Sequence, residues 1–165
     1  MNIIIRISRT LDTEIRNNLI RPHPFAMERI GFVSGVHSNI EHNECLIVLK
    51  KYYPIEDSDY IEDSTVGARI NGNAIRKAMQ LIMDTHEGMF HVHIHPFNYF
   101  PSMSKTDKIG IPPVIKSLCN VDRSVLNGCI IMSNSHQCAY VYVPDVGLIT
   151  TNKIRVIGFP FSLNI

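Results

Sequence analysis

Runs of β-branched residues alternate along this chain with segments of helical period. Residues 2–7 (NIIIRI) are rich in isoleucine and predict a strand. In residues 12–21, Ile15 and Leu19 continue a four-residue spacing begun at Leu11, the signature of one apolar helix face. Pro22 and Pro24 then break the chain. Residues 28–38 (ERIGFVSGVHS) and 44–55 (ECLIVLKKYYPI) read as strands, the second ended by Pro54, with a turn at 41–43 between them. The acidic run 56–64 (EDSDYIEDS) reads as a solvated loop. The clearest helix lies in 71–88, where Ile75, Met79 and Ile82 make a stripe that Ala78 and Met83 widen. Asn73 is its expected N-cap and Gly88 its stop.

Beyond that helix, residues 89–95 (MFHVHIH) predict a strand. Residues 104–120 begin as a helix, which Pro112 and Pro113 are expected to interrupt or restart. Residues 128–134 and 138–144 (GCIIMSN, CAYVYVP) predict an antiparallel pair with a turn at 133–137, and 153–161 (KIRVIGFPF) a closing strand. Strands and helices interleave, and several strands are joined by short links. The expected fold class is therefore α/β (α+β), a mixed β-sheet packed with helices in a single domain over 1–165.

Composition narrows the function classes. The chain has 165 residues, 45% hydrophobic and 19% charged, which suits one globular domain with a real core. Its net charge is +1 and its basic residues are scattered, so electrostatics make no case for nucleic acid. No apolar run approaches the ~20 residues of a membrane span. The start MNIIIRISRT carries an arginine within its apolar run, which does not fit a signal peptide. The four cysteines form no CxxC pair and sit mostly in apolar surroundings, as reduced, buried thiols do. A cytoplasmic location is expected.

The chemistry concentrates in GMFHVHIHPFNYFPSMSKTD, residues 88–107. Side chains alternate on a strand, so His91, His93 and His95 share a face while Val92 and Ile94 face away. Burying three imidazoles without partners would cost several kcal/mol. Two imidazoles two residues apart on a strand converge on one ion, and zinc suits such donors with a His, Asp or Glu as third ligand. Ser104 and Asp107 form a Ser-x-x-Asp helix start, the pattern of a capping box, which would also bring Asp107 beside an ion.

Together these residues resemble the JAB/MPN domain family with its JAMM zinc metalloprotease motif. That motif has an upstream glutamate, then His-x-His-Pro, a loop and Ser-x-x-Asp. Here His93-Ile-His95-Pro96 and Ser104-Lys-Thr-Asp107 match the second part, and Glu28-Arg-Ile-Gly31 is similar to the glutamate strand. The order of elements agrees over nearly the whole chain. The loop after His95 is about one residue longer than usual, the extra His91 creates a second register with His93, and the paired prolines are not a family feature. The resemblance implies the JAB/MPN (cytidine deaminase-like) fold. It implies Zn2+ held by His93, His95 and Asp107, with Glu28 as general base and Ser104 as oxyanion donor. His91 would stand behind the ligands. Glu41 and Glu44 are alternatives for the glutamate but fall near the polar turn.

The activity implied is that of an isopeptidase or peptidase acting on a ubiquitin-like protein or its conjugates, like stand-alone prokaryotic relatives in conjugation or antiviral defence systems. Activating or conjugating-like enzymes of the same operon would then be partners. A non-catalytic MPN scaffold is the alternative, though such domains typically lose the ligands present here. A cupin-type metalloenzyme would need an all-β chain, which the helix in 71–88 opposes.

Overall fold

The computed structural model describes residues 1–24, 26–38 and 43–158. The chain runs β1 (Asn2–Ser8), α1 (Arg9–Leu19), β2 (Ile30–His37), β3 (Glu44–Pro54), a 3-10 turn (Asp57–Asp59), α2 (Gly72–Thr85), β4 (Gly88–Ile94), α3 (Lys105–Cys119), β5 (Asn127–Met132), β6 (Gln137–Val143), β7 (Gly147–Thr151) and β8 (Ile154–Ile157). Eight strands form one sheet in the order β7-β6-β5-β4-β2-β3-β1-β8. Three strand pairs are parallel, β1 with β3, β1 with β8 and β4 with β5, and the rest are antiparallel.

The sheet curls until its two ends meet. Thr151 at the end of β7 donates its hydroxyl to the carbonyl of Ile3 in β1 (2.8 Å), and the Ile5 N–H donates to Lys153 O (2.9 Å). The result is a nearly closed eight-stranded barrel. This corrects the expected JAB/MPN (cytidine deaminase-like) architecture, which has an open sheet. The coarser expectation of a mixed α/β fold holds. Strand twist accumulates across eight strands, and a register shift between Ser34 and Gly35 in β2 adds local bend, so closure is a natural outcome.

Apolar clusters pack on both faces of the sheet. Leu11, Ile15 and Leu19 of α1 pack with Ile5, Ile47, Phe90, Val92, Ile130 and Val141 inside the curl. On the other face, Ala74, Ala78 and Ile82 of α2 and Val114 and Leu118 of α3 pack on Phe32 and Met89. Because β4 is buried on both sides, its seven residues are all buried.

Several local expectations change. Asn71, not Asn73, caps α2, its side chain accepting the N–H groups of Asn73 and Ala74, and Gly88 opens β4 rather than ending the helix. His86 ends α2 in the left-handed conformation at φ 54°. Met83 is exposed, because the buried stripe runs through Ala74, Ala78 and Ile82. α3 continues through Pro112 and Pro113, which lie on its exposed side, where carbonyls left without partners meet water. The acidic loop is not wholly solvated: Asp59 is buried and accepts from Lys77 Nζ (2.6 Å). The strand β7 was not expected at all. The turn expected at 41–43, the alternative Glu41 and the last residues of the closing strand reach outside the described residues. The four cysteines are free thiols, three buried in β3, β5 and β6 and Cys119 half-buried at the end of α3. Among the described residues no helix is long and apolar enough to cross a membrane.

Candidate metal centre

β4 lies between β2 and β5, with His93 paired to Ile30 on one side and Ile131 on the other. Its alternation sends Phe90, Val92 and Ile94 into the curl and His91 and His93 to the opposite face, beneath α3. His95 follows the strand. All three imidazoles are at most 7% exposed, so each needs a partner.

The loop between His95 and α3 is pinned at several points. His95 N–H donates to Met132 O (2.9 Å), Asn134 N–H to Phe97 O (2.9 Å), and Met103 N–H to the Tyr140 hydroxyl (3.2 Å). That path delivers Ser104 to the N-cap of α3. Ser104 Oγ accepts the Asp107 N–H (3.1 Å), and the Ser104 N–H donates to Asp107 Oδ2 (2.7 Å), a complete capping box. A hydroxyl that accepts in this way keeps its proton for a second partner. Capping also aims Asp107 at the histidines. Its two carboxylate oxygens stand 3.4 Å from His93 Nε2 and 3.4 Å from His95 Nε2, and those two nitrogens are 3.1 Å apart.

Such spacings test the donor set directly. Donors at 2.0–2.2 Å from a tetrahedral zinc stand roughly 3.3–3.6 Å from one another. The 3.4 Å separations fall in that range and the 3.1 Å between the imidazole nitrogens just below it, with a different oxygen of Asp107 facing each ring, so the three groups are spaced much as donors to one small cation would be. The remaining ring nitrogen of His93, Nδ1, is buried and finds no hydrogen-bond partner among the described residues.

Glu28 completes the cluster from the segment just before β2. Its carboxylate and the ring nitrogens of His93 and His95 lie within 4.8 Å of one another. The N–H groups of Met27 and Glu28 both donate to Gly67 O (2.8 and 3.0 Å). Next to it, the buried Arg29 guanidinium donates to Arg21 O, Pro22 O and Asp57 Oδ1 at 2.7–3.0 Å, and the Ile30 N–H donates to the Tyr60 hydroxyl (2.8 Å). This holds the glutamate at the mouth of a cavity of about 620 Å³, walled by the 65–70 segment and by α3 through Ile111 and Val114.

His91 takes a different partner. Its register partner across the parallel pair is Cys129, and the thiol lies 3.7 Å from His91 Nδ1. His91, His93 and Cys129 form a second cluster that could hold a metal. The two clusters differ in electrostatics. Burial pushes the Cys129 thiol well up, with the Asp107 and Cys138 charges adding to it, and burial likewise pushes His91 down to about 3. In the other cluster, burial opposes the charge on Asp107, yet hydrogen bonds from His93 and His95 hold its carboxyl well below the usual range. The Asp107 hydrogen bond raises His95 in turn, against burial and with help from Glu28. One cluster is thus arranged around charge at the cavity, whereas the other joins an uncharged imidazole at His91 to an uncharged thiol, its Cys129 fully buried behind the cavity wall.

The structure therefore brings Glu28, His93, His95, Ser104 and Asp107 to one cavity. Glu44, the alternative glutamate, lies at the far start of β3, hydrogen-bonded to Asn2. Cys129 and Gly67 were not singled out from the sequence: the first is found only through strand register, the second only through the packing of a loop. Either histidine cluster could coordinate a divalent ion such as Zn2+, which is metalloenzyme-like character. No protein-family model and no curated protein matches this chain, so this reading stands on the site's own geometry.

Proposed function

We propose that the cavity is the centre of a zinc-dependent amide hydrolase of JAMM type, cleaving a ubiquitin-like protein from its target or trimming its C-terminal tail. The observation that carries this reading is the convergence of His93, His95 and Asp107 at 3.1–3.4 Å, with Glu28 beside them and a cavity opening outward. The motif order Glu28, His93-x-His95-Pro96, Ser104-x-x-Asp107 supports the class of chemistry, and the proposal rests on the site rather than on the fold.

His93, His95 and Asp107 would hold the ion. Zinc, when bound there, supplies a Lewis acid and water acidic enough to ionise near pH ~7. The chain's residues do the rest. Glu28 takes the proton of the attacking water and returns it to the departing nitrogen, a role worth about 10²–10⁴-fold. The Ser104 hydroxyl, with its lone pair engaged by the Asp107 N–H, donates a hydrogen bond to the oxyanion as it develops. Buried Ile111 and half-buried Ile30-side neighbours such as Ala68 exclude water from part of the cavity wall. An extended tail suits this opening, and genes beside this one that encode a ubiquitin-like protein would supply the substrate to try.

The test uses a ubiquitin-like protein fused through its tail to a reporter, and the same protein in isopeptide linkage to a lysine. Zinc-loaded wild type should cleave at least one of them. Glu28→Gln preserves shape and zinc but should lose at least ~10² in kcat, while still capturing the substrate in a pull-down. Equal rates for wild type and Glu28→Gln would eliminate the proposed base, and a wild type inert on both substrates would favour a binding role for the domain.

A further inference from the structure

We infer that Gly67 is a positioning residue for this site: its missing side chain leaves the space in which the Glu28 carboxylate stands. The inference rests on the hydrolase reading above. A Cβ built at Gly67 would lie 2.7 Å from Glu28 Cδ, 2.9 Å from Oε2 and 3.0 Å from Oε1, and these are its three nearest atoms. Closely packed glycines elsewhere have structural reasons. Gly88 and Gly128 would meet the carbonyls of Leu126 and Tyr140 at 2.0 and 2.2 Å, and Gly31 would meet the Tyr52 ring. Among the described glycines, Gly67 is the one whose nearest atoms belong to the candidate base.

The backbone gives no separate reason for glycine at 67. The described glycines with positive φ are Gly147 and Gly158, so alanine fits the conformation at Gly67. The atoms in the way are the end of one flexible side chain, so accommodating a methyl group costs the fold little and moves the carboxylate. Retreat of the loop is opposed by its own bonds. Gly67 O holds the N–H groups of Met27 and Glu28, the Ile61 N–H donates to Arg69 O (2.8 Å), and the Asn71 N–H donates to Asp59 O (2.8 Å). One residue therefore sets both the backbone and the carboxylate of Glu28. A proton acceptor must stand within about 2.6–3.2 Å of its proton's donor, so displacement by an ångström matters.

The experiment compares wild type, Gly67→Ala, Glu28→Gln and the double variant as zinc-loaded full chains. Gly67→Ala should keep the wild-type fold and zinc content. Its kcat should fall on the order of 10²-fold with KM little changed, the effect of a misplaced group that acts in the transition state. In the Glu28→Gln background the same change should add no further loss, because the base is already gone. Independently of turnover, ¹³C-labelled glutamate, with the Glu28 carboxyl signal assigned through Glu28→Gln, should show that signal shifted in Gly67→Ala. An unshifted signal overturns the inference, as does full activity in an otherwise active enzyme. An equal loss in the Glu28→Gln background, or loss of zinc or fold, also overturns it, because Gly67 would then act elsewhere. If wild type cleaves nothing, the hydrolase reading falls and the carboxyl signal alone decides whether Gly67 places Glu28.

Discussion

His91 in β4 and His95 just past its end belong to one row of alternate histidines, yet what lies opposite each gives them different chemistry. His95 meets the Asp107 carboxylate, while His91 meets the Cys129 thiol and the edge of Phe32. The expected consequence is separable by substitution. His91→Ala should keep its zinc, with affinity reduced by no more than the 10–100-fold typical of a residue behind the ligands. His93→Ala, His95→Ala and Asp107→Ala should each lose most of it, since two donors hold zinc poorly. Elemental analysis after dialysis separates these outcomes. A site emptied by His91→Ala but kept by His95→Ala would transfer the metal to the His91, His93 and Cys129 cluster.

At the scale of elements, α3 carries two demands in one segment. Its capping box must hold Asp107 against His93 and His95, and its Val114 and Leu118 must cover the sheet. Pro112 serves neither: it is exposed, in mid-helix, and lacks the N–H that the helix would use. Pro112→Ala should stabilise the protein by roughly 2 kcal/mol, the helix-interior cost of proline less its rigidifying effect on the unfolded chain. A raised urea midpoint with unchanged slope is the expected reading. No gain would mean that the freed carbonyls are already well satisfied. The helix was legible from its capping pattern, but its passage through two prolines was not. A local rule weighs the lost bonds, whereas packing of Ile111, Val114, Ile115 and Leu118 outweighs them.

Across the molecule, the packing of α3 over the outer face of the sheet buries His91 completely enough to change its titration. Burial, then the charge of His93, lowers it from 6.5 to about 3, against the pull of Asp107. Between those pH values the unfolded chain binds a proton that the folded chain refuses. This contribution to stability is therefore fully present above pH 6.5, declines as pH falls through the window and is exhausted near pH 3. Between pH 6.5 and 4.5 it amounts to about 2 kcal/mol, a sizeable share of a domain's usual 5–15 kcal/mol. Urea midpoints of the metal-free protein at the two pH values should show this loss, and His91→Leu should reduce it. An unchanged acid slope in His91→Leu would assign the acid sensitivity to the carboxylates instead.

Features encoded within one element were legible along the chain. β1, α1, β3 and the β5–β6 hairpin follow from periodicity and turn residues, and His93, His95, Ser104 and Asp107 announce themselves because they lie close along the chain with strand and helix-cap spacing. Long-range packing set how far the sheet curls, since twist adds up over eight strands and no local pattern states where the sum ends. It also decided the partners that approach from afar. Cys129 reaches His91 through the register of a parallel pair, and Gly67 reaches Glu28 through the return of a loop. Both contacts join residues some forty positions apart, where close packing rather than spacing selects which atoms meet.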